Sequence, residues 1–181
     1  MCHSVKQNYF IWSLITSICI VILGSGWHFL YSICGESKLV AWFAPVNESV
    51  WEHLKLTLYP ILIVLLIFHA LHLIPNHPPI WQVMLVAATS ILTANLIIVS
   101  IYYVFAGGFH LSGMAVDLTA YGIGILSGQI VAAVHILPFR KIPRWVSVLG
   151  CLYLVIMLAI TAIFSYYPPD VPIFIPPVSG S

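Results

Sequence analysis

The chain has 181 residues and a formal net charge of +1; 61% of it is hydrophobic and only 6% charged, against roughly a quarter charged in ordinary globular domains. That balance excludes a water-soluble fold and leaves no basic surface large enough for a nucleic-acid partner. Cys2, Cys19, Cys34 and Cys151 have no paired spacing, so neither a disulfide framework nor a zinc knuckle is expected.

Five apolar runs are each long enough to cross a hydrocarbon core, which takes about 20 helical residues. Continuous runs of this length are helices, because barrel strands would be about 10 residues of alternating polarity. The expectation is an all-α polytopic membrane protein, a single transmembrane helical domain over residues 1–181. Its first helix runs over about residues 9–34 and is retained as a span, since a signal-peptide core has only about 7 to 15 apolar residues. His28 lies about 9 Å below the outer end of that helix at 1.5 Å per residue. The other helices are expected over about 50–74, 80–105, 116–137 and 145–166, followed by an extended Pro-rich tail, 167–181.

Four of the six basic residues, Lys6, Arg140, Lys141 and Arg144, lie before helix one or between helices four and five. The positive-inside rule then places the N-terminus inside and the C-terminus outside. On that topology all five acids, Glu36, Glu48, Glu52, Asp117 and Asp170, fall at the outer face with His28, His53 and His110. His3, His69, His72, His77 and His135 lie towards the inside.

The least lipid-like stretch is Pro45-Val-Asn-Glu-Ser-Val-Trp-Glu-His-Leu-Lys55, at the entry to helix two. At about 100° per residue, Glu48, Ser49, Glu52, His53 and Lys55 share one polar arc. Ionisable groups within a span face the bundle interior and pair with something, and His28 and Asp117 are at the same depth. Imidazole and carboxylate are the donor types of zinc, for which three protein ligands and a water make a catalytic site. The candidate ligands are His28, His53 and Asp117, with Glu48, Ser49 or Glu52 as proton carrier or oxyanion donor. A competing reading makes Ser49-Val-Trp-Glu52 a capping box and Glu48, Glu52 and Asp117 helix-dipole residues.

His69 and His72, with His135 at the same inner end, raise a bis-histidine haem reading. Helix four has no histidine at its outer end to partner His53, so haem is not expected. Gly124-Ile-Leu-Ser-Gly128 is a close-approach pattern that Gly122 and Ser127 extend, and Asn95 and Gln129 are expected to make interhelical hydrogen bonds. The absence of a hydropathy repeat argues against an inverted-repeat transporter. The tail is expected to fold back over the outer mouth, bringing Asp170 near Glu48 and Glu52.

Phe43-Ala-Pro-Val-Asn-Glu-Ser-Val-Trp-Glu-His-Leu-Lys55 and the closing Tyr166-Tyr-Pro-Pro-Asp-Val-Pro-Ile-Phe174 resemble a family of small bacterial integral membrane proteins, the domain of unknown function 6512. The likeness spans essentially the whole chain and implies a bacterial inner-membrane location with no established activity. The family's closing Asp-Pro-x-Thr-Gly-like sequence is Pro176-Pro-Val-Ser-Gly180 here.

The residues point first to a metal-dependent membrane enzyme, a zinc hydrolase of a lipid or small amphiphile at the outer leaflet. The alternatives are a protein that binds or transports a cation or cationic solute without chemistry, and a structural subunit of a membrane complex. Membrane lipids are the expected surroundings in each case.

Overall fold

Prolines and glycines punctuate the apolar runs. Pro79 and Pro143 stand immediately before two 23-residue helices, and Gly113, at φ 136°, immediately before a third. In the computed structural model the chain folds as α1 (Cys2–His28), α2 (Leu30–Ile33), α3 (Val50–His53), α4 (Lys55–Ala70), α5 (Ile80–Tyr102), α6 (Met114–His135) and α7 (Arg144–Tyr166). Short 3-10 turns lie at Val40–Trp42 and Pro172–Phe174, and a π-helical turn over Tyr103–Gly108 prolongs α5. The structure describes residues 2–109, 111, 113–139 and 142–176, with side chains from Asn8 onward. His110, Arg140, Lys141, the tail beyond 176 and the side chains of His3 and Lys6 lie outside the described residues.

The fold is all-helical among the described residues, and five helices are long and apolar enough to cross a membrane. Their ends differ from the expected ones for local reasons. Helix one does not run unbroken to residue 34. Gly24 and Gly26 weaken its last turn, the chain tightens there through Phe29 N–H to Gly26 O, and Leu30–Ile33 forms a separate turn. Helix two is interrupted at Leu54 and stops at Ala70 rather than 74, because His72 takes φ 57° and the chain closes with Leu73 N–H donating to Phe68 O. That closure usually belongs to glycine.

Within α4, Pro60 cannot bond the carbonyl of Leu56 four residues earlier. The Tyr121 hydroxyl of α6 donates to that carbonyl at 3.0 Å, so the break becomes an interhelical contact. Two more polar links cross the interior as the amides predicted: Thr57 of α4 bonds Asn95 of α5, and Thr16 of α1 bonds Gln129 of α6.

Helices α5 and α6 form the central pair; α1 packs on α6 and α4, and α7 on α5. Close approach at the centre depends on two glycines. A Cβ at Gly128 would strike the Ser90 carbonyl, and one at Gly124 would lie 2.8 Å from Ile98. Gly122 does not extend this surface, since a Cβ there meets nothing within 4 Å. Ile20, Leu58, Ile61, Val86, Ile91 and Ile125 fill the core, while Ile18, Ile22, Leu96, Val148, Leu152 and Val155 are exposed on the perimeter.

Candidate functional site

The segment between α2 and α4 is built around an N-cap. The Ser49 backbone is extended, and its hydroxyl accepts from Glu52 N–H at 3.3 Å, as the capping pattern predicts. The return bond of a capping box is missing, because Asn47 Oδ1 accepts from Ser49 N–H instead, at 2.9 Å. Glu52 is therefore released to a different task.

Its carboxylate is 3% exposed and has three donors: Val46 N–H at 3.0 Å and Lys55 Nζ at 2.7 Å on Oε2, and the Ser165 hydroxyl of α7 at 2.8 Å on Oε1. The fully buried Lys55 ammonium also donates to the carbonyls of Ala41 and Ala44, at 2.7 and 3.1 Å, so all three of its protons are placed. Neighbouring carbonyls are held the same way. Tyr59 OH donates to Trp42 O at 3.1 Å and Trp27 Nε1–H to Phe43 O at 2.8 Å, while Tyr166 OH donates to Lys38 O. Residues 38–46 have only the one 3-10 turn at Val40–Trp42, and side chains from α1, α4 and α7 supply partners for the carbonyls it leaves open.

This tethered segment delivers Glu48. One carboxylate oxygen lies 3.5 Å from His28 Nε2, at the end of α1, and the other 3.4 Å from His53 Nε2, at the end of α3. The two imidazoles are near-parallel, with ring centroids 5.2 Å apart. The three residues can each turn one donor atom into a group whose members are all within 4.8 Å of one another, and it is the one such group among the described residues. His28 and His53 are about a quarter exposed, and Glu48 is 64% exposed.

The other nitrogen of His53 is already used. Nδ1 lies 2.8 Å from the Ser49 carbonyl. A carbonyl only accepts, so Nδ1 carries the proton of the neutral ring and the lone pair is on Nε2, facing Glu48. A metal-ligating histidine is usually oriented by such a bond on its second nitrogen. Each histidine faces its own oxygen of Glu48, and one donor atom from each residue lies within 4.8 Å of the others, a group small enough to close on a single cation.

Of the expected ligands, His28 and His53 come together, and Glu48, expected as a proton carrier, joins them. Asp117 lies outside that group, exposed in the first turn of α6, within electrostatic reach of His53 and Glu48. Ser49 and Glu52 are buried and committed to the cap and to Lys55. The described part of the tail, to residue 176, folds back through Phe174, whose ring is tilted on Trp51 with centroids 4.7 Å apart and packs on Phe164, while Asp170 is exposed and has no ion-pair partner among the described residues. His72 and His77 pair edge to face at the opposite end of the bundle.

Sequence reasoning placed Lys55 on the polar arc without naming its partner, and gave no role to Ser165, Trp27 or Tyr59. The available signal was Lys55 itself, a cation three residues after a glutamate at the mouth of an apolar helix, where a partner is obligatory.

No curated protein and no solved structure matches the chain. The family model described as Family of unknown function (DUF6512) matches residues 1–181, and the chain belongs to that family.

Proposed function

We propose that the chain is a membrane-embedded, metal-dependent hydrolase of a lipid or similar amphiphile, with His28, Glu48 and His53 as the three ligands of a zinc ion. The observation that carries this reading is the meeting of these three donors at one half-open point, with the second nitrogen of His53 committed to the Ser49 carbonyl. Two histidines and a glutamate, with a fourth position left for water, are a ligand set of zinc hydrolases. Zinc bound there supplies an activated water at neutral pH. Asp117, in the first turn of α6, would be the proton acceptor beside the site, and Ser49 and Glu52 hold the frame.

In this reading the protein sits in a bacterial inner membrane with its N-terminus inside and the site at the outer face, in keeping with the basic residues before helix one and between helices four and five. Among the described residues no charged side chain is buried near mid-span, and the two amides there each bond a neighbouring helix, Asn95 to Thr57 and Gln129 to Thr16. This favours turnover at a surface site over passage of a solute.

The test is elemental analysis of the untagged chain in mild detergent. About one zinc per chain is expected from a single three-ligand site, lost in His53→Ala and kept in Asp117→Asn, which hydrolyses no lipid. Full zinc content in His53→Ala would overturn the assignment.

A further inference from the structure

Below the candidate site, α1 and α6 leave a largely apolar groove lined by Leu14, Ser17, Ile18, Val21 and Ile22 of α1 and Gly122 and Leu126 of α6. Its shape depends on a missing side chain. Gly124 and Gly128 are filled against α5, whereas a Cβ at Gly122 meets open space. Nothing in the helix packing needs glycine at this position. The absence of a side chain there serves the groove.

The groove also leads to the site. Leu14, Ile18, Val21, Ser25 and His28 follow one another at intervals of four and three residues, so they form one stripe along α1. Ser25, between groove and site, is small, and its hydroxyl bonds back to Val21 O at 2.8 Å, leaving the stripe unobstructed. At 1.5 Å per residue the groove spans from about 9 to about 21 Å below His28, comparable with one leaflet of a hydrocarbon core about 30 Å thick.

We propose that this groove seats the acyl chain of a single membrane lipid whose polar head lies at His28, Glu48 and His53. The proposal rests on the hydrolase reading of that site and narrows its substrate to a long-chain lipid. Gly122 determines specificity, because any side chain there shortens the space open to the chain.

The probe is a sixteen-carbon lysophospholipid with a photoreactive diazirine near the end of its chain, crosslinked to the full-length protein in mild detergent and mapped by peptide mass spectrometry. Adducts should concentrate on Leu14–Ile22 and Gly122–Leu126. Gly122→Leu should lower that labelling about tenfold, the equivalent of displacing two buried methylenes, while background labelling of the exposed α7 face at Val148, Leu152 and Val155 stays the same. Ile18→Trp, which fills the groove from the other wall, is the second variant and should act alike. Labelling that is no denser in the groove than on α7, or that survives both substitutions, would overturn the proposal. Zinc content measured on the same samples separates the two readings: groove labelling without zinc would sink the metal site and leave a lipid site standing.

Discussion

Two ionic groupings grow from the same nine residues, Asn47–Lys55, and they are opposites. Glu52 and Lys55 meet at 2.7 Å, 3% and 0% exposed, and every proton of the lysine has an acceptor. Glu48 meets His28 and His53 at 3.5 and 3.4 Å, beyond good hydrogen-bond length, and all three groups reach solvent. Charges taken out of water are tolerated only where bonds in excellent geometry replace their hydration. The first grouping meets that condition and belongs to the fold. The second has unspent lone pairs held in place by a rigid frame, which is the condition of a binding site.

The largest effect should come from breaking the saturated pair. Lys55→Met leaves Glu52 charged and buried with only Val46 N–H and Ser165 as donors, a loss of about 3–5 kcal/mol. Thermal unfolding in mild detergent measures it, and the double variant Glu52→Gln with Lys55→Met should recover much of the difference. Zinc content of whatever Lys55→Met protein still folds should also fall, since the carbonyls of Ala41 and Ala44, just before the turn that carries Glu48, lose their tether. A variant as stable as the native chain would mean that the carbonyl tethers from Trp27, Tyr59 and Tyr166 hold the segment unaided.

The contrast between the two groupings was only half legible in the sequence. Length and hydropathy were enough for the five helices, and Ser49 could be read as an N-cap because capping is local. The same local logic assigned Glu52 to the first-turn amides. What it missed was Asn47 taking the Ser49 amide, which frees Glu52 for Lys55 and for Ser165, over a hundred residues away. His28 and His53 shared a depth on paper, but their meeting depends on how α1 crosses α3, which no spacing encodes. Gly122 was more legible than its first reading allowed. Two residues rotate a helix by about 200°, so Gly122 and Gly124 never shared a face.

A smaller effect is expected at the edge of the saturated pair. Ser165→Ala removes the one donor on Glu52 Oε1 and should cost about 1 kcal/mol, read as a lower unfolding temperature with zinc content unchanged. The smallest effect on stability belongs to the open grouping. His28 and Glu48 are exposed enough that their attraction contributes no more than about 0.5 kcal/mol, and His28→Ala should unfold within about two degrees of the native chain. Zinc should nevertheless be lost, because Glu48 and His53 alone leave two positions of a tetrahedral ion to water. If His28→Ala instead unfolds as early as Ser165→Ala and keeps its metal, then His28 belongs with Lys55 among the residues that build the fold, and the open grouping is a second clamp of the same kind.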